Sequence, residues 1–319
     1  MLTVFLVLPD FLVILVGYLL RNHITPSIFN DGFWHGAEKL VFYILFPPLL
    51  FTSVATSNLT LSEAGLFLGV AIAAMMCAVL MSFLIRFVVK ADEVTHASAF
   101  HCGFRFNTYV GFAVVSRLFG QEGLALMSLL IAFWVPISNS IAVAVLAGAV
   151  ARQNQGEGKK TSVLKSTIKA IITNPLIIAT TAGLIVNLCQ IPVPQIAMTF
   201  FKSLGNASLA MGLLCIGAGL RLAGMREQMG LVIANTFERL MAVPFVAMLF
   251  CLVFGLEGPA MGALMVFAML PTAQSCYVMT ASMGGNAPLV AGITTAHTLA
   301  AIATIPFWIW VVMQVFGIS

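Results

Sequence analysis

Apolar runs of about 20 residues follow one another along most of this 319-residue chain, separated by short polar connections. A helix of about that length crosses the hydrocarbon core of a bilayer, so each run is long enough to span it. Only 8% of the residues are charged, whereas soluble domains have about 25%. The chain therefore has too few charged side chains for a water-facing surface of this size, and it has no stretch long enough for a separate soluble domain. These features predict an all-α polytopic membrane protein.

The runs predict ten transmembrane helices, and the hydrophilic segment 152–167 divides them into a first five-span repeat, residues 1–151, and a second, residues 168–319. Of the Lys and Arg residues, eleven fall in odd-numbered connections and two in even-numbered ones. The positive-inside rule then places the 152–167 linker in the cytoplasm and both termini outside. The apolar N-terminus is interpreted as the first span rather than as a cleaved signal. The predicted spans cover about 2–20, 37–57, 64–89, 97–119, 123–151, 168–189, 195–220, 230–254, 259–283 and 288–314.

Polar residues interrupt two of these spans at matching places. Span 4 contains Phe104–Gly111 and span 9 contains Leu270–Val278, and each is the fourth span of its half. Because each half has five spans, the two halves have opposite orientations, and inverted repeats with interrupted helices are typical of secondary transporters. The second spans of the halves are also predicted to break, at Pro47-Pro48 in span 2 and at residues 205–208 in span 7.

Six short segments spread along the chain carry a resemblance to a known family. They are residues 39–51, 105–111, 174–178, 217–220, 270–271 and 298–306. In this order they resemble the auxin efflux carrier family, which includes plant PIN-FORMED carriers and bacterial malate and malonate permease homologues.

The resemblance implies ten transmembrane helices in two inverted five-helix repeats, of the NhaA-like, elevator type. Helices 4 and 9 would be broken and would cross near the midplane beside the substrate. The resemblance places Asn107 at the substrate site. It also matches Ala113 and Cys276 to the prolines that plant members have at the crossing.

Unwound helices at midplane expose backbone amides and helix N-termini, which favour an anionic ligand. Each candidate side chain also has a structural alternative. The amides and the hydroxyl could form interhelical hydrogen bonds, and the arginine could form an ion pair. The asparagine of span 5 could serve packing, and the proline could simply kink its helix. The candidate substrate-binding residues are Asn107, Arg105, Gln274, Ser275, Asn139 and Pro47.

Two residues are candidates for proton coupling. His297 lies among threonines in span 10, and its alternative is a neutral histidine bonded to a neighbouring helix. Glu238 lies inside span 8, where it and Arg239 could neutralise one another or lie near the cytoplasmic interface. Neither interrupted span contains an acid, which argues against a sodium site there. His101 is expected to be a hydrogen-bonded structural residue. The six cysteines are scattered without metal-ligand spacing, so we expect no metal site and no cofactor.

The sequence thus predicts a permease that carries a small organic anion, such as malonate, malate or an auxin-like acid, by alternating access. The alternatives are a channel or receptor on the same fold, or a carrier of a non-anionic solute. An enzyme is not expected, because no HExxH, GxSxG or phosphate-loop motif is present. The expected partners are the organic anion and membrane lipid, with no nucleic acid. Homodimers occur among the relatives. The expected location is the plasma membrane, as a multi-pass protein of the bacterial inner membrane.

Overall fold

The computed structural model describes residues 2–24, 26–57, 61–153, 173–220 and 228–316, and within these ranges the chain is helical and has no β-strand. Most of the predicted 152–167 linker lies outside the described residues. In chain order the helices are α1 (Leu2–Asn22), α2 (Asp31–Ala55), α3 (Leu61–Val88), α4 (Glu93–Phe100), α5 (Thr108–Gln153), α6 (Pro175–Leu188), α7 (Gln195–Gly219), α8 (Met229–Phe254), α9 (Gly258–Met269), α10 (Ser275–Ser282) and α11 (Ala287–Phe316).

Six helical segments in the described ranges are long and apolar enough to cross a membrane: Asp31–Ala55, Ala64–Val88, Thr108–Gln153, Gln195–Gly219, Met229–Phe254 and Ala287–Phe316. Helices α6 and α9 are shorter and also apolar. Large apolar side chains point outward, including Phe87, Ile196 and Val253, which are 72%, 87% and 76% exposed. Lipid is a favourable environment for such a surface and water is not. The helices therefore have the surface of a multi-pass membrane protein.

The interruptions predicted in spans 4 and 9 are present. Helix α4 ends at Phe100 and α5 begins at Thr108, while α9 ends at Met269 and α10 begins at Ser275. Helix α5 then turns sharply at Gly120, whose φ of 55° and ψ of −139° lie outside the helical region. A residue without a Cβ adopts this backbone conformation at little cost. The turn falls between the predicted end of span 4 and the predicted start of span 5.

Prolines distort two helices without breaking them. The prediction that Pro47-Pro48 breaks span 2 is wrong, because the helical segment continues from Asp31 to Ala55. The double proline follows a π-helical segment, Val41–Leu45, in which the Phe46 amide donates to the Val41 carbonyl. A second π-helical segment, Glu238–Ala242, precedes Pro244 in α8. A proline ring clashes with the carbonyl four residues before it. In α8 that carbonyl, of Leu240, accepts a hydrogen bond from the Trp308 indole nitrogen at 2.8 Å.

The prediction that residues 205–208 break span 7 is wrong, because α7 is continuous from Gln195 to Gly219. Gly205 serves close packing instead. A Cβ at this position would lie 3.0 Å from the Leu49 Cα of α2. Ser208 remains within the helix and donates to the Gly205 carbonyl at 2.6 Å. Small residues allow the backbones of two helices to approach each other closely in a membrane. This close packing, rather than a break in the helix, explains why a glycine occupies the position.

Helix α2 begins at Asp31, six residues before the predicted start of span 2. The physical reason is a cap: the Asn30 side chain accepts a hydrogen bond from the Phe33 amide. Side-chain oxygens at this position satisfy one of the free amides of the first helical turn.

The closest backbone approach between α1 and α7 is made by two glycines, and it predicts a selective loss of stability. A Cβ at Gly217 would collide with the Ile14 carbonyl, and one at Gly17 would collide with the Leu214 carbonyl. We expect Gly217→Ala to lower the free energy of unfolding by about 1–3 kcal/mol, because α1 must move away. Gly69→Ala is the matched control, since a Cβ at that helical glycine meets nothing within 4 Å. Thermal unfolding in detergent would measure both, and equal midpoints for the two variants would contradict the packing argument.

Candidate functional site

The two interruptions lie against each other. The backbone N–H of Asn107, at the end of the first interruption, donates to the carbonyl of Pro271 in the second interruption at 2.8 Å. The rings of Phe106 and Phe267 pack nearby, with centroids 4.2 Å apart. Backbone groups freed by the unwinding are thus partly satisfied across the contact, as a low-dielectric interior requires. The interrupted segments that the sequence places far apart form one buried site.

Asn107 is the N-cap of α5. Its Oδ1 atom accepts hydrogen bonds from the amides of Tyr109 at 3.1 Å and Val110 at 3.4 Å, and the residue is 2% exposed. The oxygen is therefore occupied by the helix terminus. Only the Nδ2 amide could donate to a ligand. The structural and the substrate-binding alternatives for Asn107 consequently involve different atoms of the same side chain.

Arg105 and Ser275, both predicted site residues, are brought together from opposite interruptions. The Arg105 Nη2 donates to the Ser275 Oγ at 3.0 Å, and Nη1 lies 3.5 Å from the Met279 Sδ. Both partners are uncharged, and in the described part of the chain no carboxylate forms an ion pair with Arg105. A guanidinium has five N–H donors, so donors remain for a ligand. Arg105 is only 8% exposed, which makes an unpaired charge costly there.

Gln274 connects the second interruption to α7. Its Nε2 donates to the Ile216 carbonyl at 2.7 Å, and its amide lies so close to Gly219 that a Cβ there would overlap it. Gln274 is the residue before α10, but its side chain does not cap that helix. Two amides of the first turn, those of Cys276 and Tyr277, donate instead to the Ala273 and Gln274 carbonyls at 3.1 and 3.0 Å. The dipole of the helix still makes its N-terminus favourable for negative charge.

Glu238 and Arg239 are both buried, but they bind different groups. Glu238 accepts hydrogen bonds from Ser82 and from the Asn235 Nδ2, the latter at 3.4 Å. Arg239 donates from Nε to the Leu270 carbonyl at 2.8 Å and from Nη2 to the Phe267 carbonyl at 3.1 Å. The ion pair considered for them from sequence is not formed in the described structure. Both side chains are buried within the protein.

His297 is fully buried in α11. Neither ring nitrogen lies in hydrogen-bonding geometry with a partner in the described ranges. The neighbouring Thr294 and Thr298 hydroxyls donate instead to carbonyls within their own helix. The backbone of Asn235 in α8 lies near enough to interact with the ring, so a histidine bonded to a neighbouring helix stays a prediction.

The other candidates are farther from the contact. Asn139 is half-buried in α5. Pro47 is half-buried at the start of the α-helical segment that follows the π turn of α2. The ring of the neighbouring Phe46 packs against Tyr109 and Phe112 of α5 at centroid distances of 5.2 and 5.0 Å. Ala113 lies inside α5, beyond the interruption.

Three groups that the sequence did not indicate stand out. Arg239 donates to the carbonyls at the end of α9. The only indication of this role in the sequence was that a basic residue lies inside an apolar span. Phe46 forms the α2 side of the site. His101, Cys102 and Cys276 lie together with one potential metal-ligand atom each, all within 4.8 Å of one another. The spacing of the cysteines in the sequence gave no sign of this grouping, because the crossing unites residues that are far apart in the chain.

The start of α4 is held by Asp92, whose side chain accepts from the Thr95 amide at 2.9 Å. A hydrogen bond from the Thr95 side chain, together with the one from the Thr95 amide, lowers the pKa of Asp92 below its usual value of 3.8. We expect Asp92→Ala to lower the free energy of unfolding by about 1 kcal/mol at pH 7. A carboxyl group whose pKa is lower in the folded state stabilises the fold at pH values above its unfolded-state pKa. This stabilisation is lost as the pH falls through the folded-state pKa. The difference from wild type should therefore persist to about pH 4 and shrink below it.

Thermal unfolding scans over this pH range would check the cap prediction. Asp92→Asn is the control, because it retains a capping oxygen and cannot titrate. A difference for Asp92→Ala that stayed constant below pH 4 would contradict a role for the ionised carboxylate.

Comparison with known proteins identifies the family of the chain. A family model described as a membrane transport protein matches residues 3–309, nearly the whole chain. No curated protein sequence matches the chain significantly. The match confirms the resemblance found in the sequence. With its apolar multi-pass helices and its paired interruptions, the chain belongs to the membrane transport protein family that includes the auxin efflux carriers.

Proposed function

We propose that the protein is a secondary transporter of a small organic anion, with a carboxylate bound where the two interruptions meet. The observation that carries the proposal is the environment of Arg105. This buried guanidinium lies beside the N-terminus of α10, it has uncharged partners, and no described carboxylate pairs with it. A carboxylate would supply the missing negative charge and could accept two parallel hydrogen bonds.

The proposed architecture is ten spans in two inverted five-helix repeats that work by alternating access. Two features support it. The interruption between α4 and α5 lies in the fourth predicted span of the first half, and that between α9 and α10 lies in the fourth of the second. Such paired broken helices bind substrate at the midplane of many transporters. With the positive-inside rule, the linker is cytoplasmic and both termini are outside the plasma membrane.

Proton coupling is the second element of the proposal. His297 has ring nitrogens outside good hydrogen-bonding geometry in the described ranges. Glu238 is held by the neutral donors Ser82 and Asn235. Both residues are buried, and buried titratable groups in spans often belong to proton pathways. We expect an imposed pH gradient to drive accumulation of the anion in proteoliposomes. His297→Gln or Glu238→Gln should abolish this accumulation but should preserve exchange of labelled for unlabelled anion at equal concentrations on the two sides of the membrane.

The test of the substrate class is uptake of labelled malonate, malate and indole-3-acetate into proteoliposomes, with and without a pH gradient. Saturable flux of one acid that is stimulated by counter-substrate would support the proposal. No flux of any of them from correctly folded protein would contradict an anionic substrate. Flux that rises linearly with concentration and ignores counter-substrate would indicate a channel.

Two variants of Asn107 separate its two roles in the same assay. Asn107→Ala removes both the cap and the Nδ2 donor, and we expect uptake to fall about tenfold or more. Asn107→Asp keeps an oxygen for the Tyr109 and Val110 amides, but it adds a negative charge beside the site. Uptake of an anion should then be lost although the thermal stability is retained. Undiminished uptake of the anion by Asn107→Asp would contradict a substrate bound beside Asn107.

A further inference from the structure

We propose that His101, Cys102 and Cys276 form a binding site for one thiophilic divalent ion of the Zn²⁺ type, built across the two interruptions. One ligand atom from each residue lies within 4.8 Å of the others. All three residues are fully buried. The site does not depend on the identity of the transported solute.

The position of the three ligands follows from the broken helices. His101 and Cys102 are the first residues after α4 ends, and Cys276 is the second residue of α10. The hydrogen bond between the Asn107 amide and the Pro271 carbonyl holds the two segments against each other. A bound ion would therefore tie the end of α4 to the beginning of α10.

The donor set suits zinc. Two thiolates and one imidazole form a known zinc ligand group, with Zn–S distances of about 2.3 Å and Zn–N distances of about 2.0–2.1 Å. Tetrahedral ligands at these distances are roughly 3.5–4 Å apart, so the observed grouping needs only small side-chain adjustments. The fourth position could be taken by water or by Thr272, whose Oγ1 lies 3.3 Å from the Cys276 Sγ.

The histidine provides an independent observation. Its Nε2 lies 3.0 Å from the Thr280 Oγ1, whereas its Nδ1 is buried and has no hydrogen-bond partner within the described structure. A buried polar atom left in this state is costly, by about 1–3 kcal/mol. Coordination through Nδ1 would satisfy it. The hydrogen bond to Thr280 is then the outer contact that commonly orients a metal-binding histidine.

The charge balance also favours a divalent ion. Both thiols lose their protons to solvent when the ion binds, and the imidazole binds as the neutral ring. Two thiolates and one divalent cation carry no net charge, which suits a buried site. Ser275, the residue before Cys276, is exposed, and this gives the ion a way in.

The test is a Cd²⁺ titration of the full chain in detergent, after chelation and with a phosphine reductant. We expect one ion per chain, the ultraviolet absorption of Cd–thiolate bonds, and a higher unfolding temperature. Cys102→Ser and Cys276→Ser should weaken binding by at least about 100-fold, and Thr280→Val by about tenfold, as for outer contacts of metal ligands. Cys251→Ser is the matched control, because that thiol is also fully buried but lies in α8.

Two results would overturn the proposal. One is binding that is absent in the wild type or equal in Cys251→Ser and Cys276→Ser. The other is a Cys102–Cys276 disulfide detected by mass spectrometry in protein that, once reduced, takes up no Cd²⁺. If a cysteine variant does not fold, as judged by its helical circular dichroism, the Cd²⁺ affinities of His101→Gln and Thr280→Val replace it as the test. A Cd²⁺ affinity that is unchanged in both variants would contradict the site.

Discussion

Arg105→Gln is expected to lower kcat/KM for uptake of the transported carboxylate by about 10- to 150-fold. A hydrogen bond to a charged group contributes about 1.5–3 kcal/mol, and each 1.4 kcal/mol corresponds to a factor of ten. Most of the loss should appear as a higher KM, because the glutamine removes the positive charge that binds the anion. Proteoliposome uptake over a range of substrate concentrations measures both quantities.

Three further variants separate binding from structure at Arg105. Arg105→Lys keeps the charge but loses the planar pair of donors, so its uptake should be intermediate. Ser275→Ala removes the hydrogen-bond partner of Arg105, and its loss should stay below about tenfold if that bond is only a support. Arg86→Gln is the control, since Arg86 lies exposed near the end of α3 against Phe83 and Phe87. A KM for Arg105→Gln equal to that of Arg86→Gln would rule out the binding role.

The interruptions could be predicted from sequence because their causes are local. Asn107 favours a cap and Pro271 cannot donate to a helix, so polar and helix-breaking residues in an apolar run point to an unwound turn. Gly205 shows the limit of such reasoning. A glycine weakens a helix but also lets another backbone approach, and only the position of Leu49 in α2 decides between the two.

Contacts between distant segments were not predictable. Glu238 and Arg239 are neighbours in sequence, which suggested that they pair, but successive residues on a helix do not face each other. Their actual partners come from α3, from within α8 and from the end of α9. Cys102 and Cys276 likewise meet only because the interruptions cross. A prediction of either group needs the tertiary packing of the two halves.

Arg239 is expected to be among the largest single contributors to the stability of the site. Its guanidinium is fully buried and donates to the carbonyls of Phe267 and Leu270, where α9 ends. A cation at a helix C-terminus also interacts favourably with the helix dipole. We expect Arg239→Met to lower the free energy of unfolding by about 3–5 kcal/mol, because two buried carbonyls lose their donor.

Thermal unfolding in detergent would test this contribution of Arg239, with Arg239→Lys as the milder variant. The ammonium retains the charge but cannot reach both carbonyls in the geometry of the guanidinium, so it should recover only part of the stability. Arg152→Gln removes an exposed pair with Glu93 and should leave the midpoint nearly unchanged. If Arg239→Met unfolded at the wild-type temperature, the two carbonyls would not depend on the arginine. The end of α9 would then have to be held by the Asn107–Pro271 hydrogen bond and by the packing of Phe106 on Phe267.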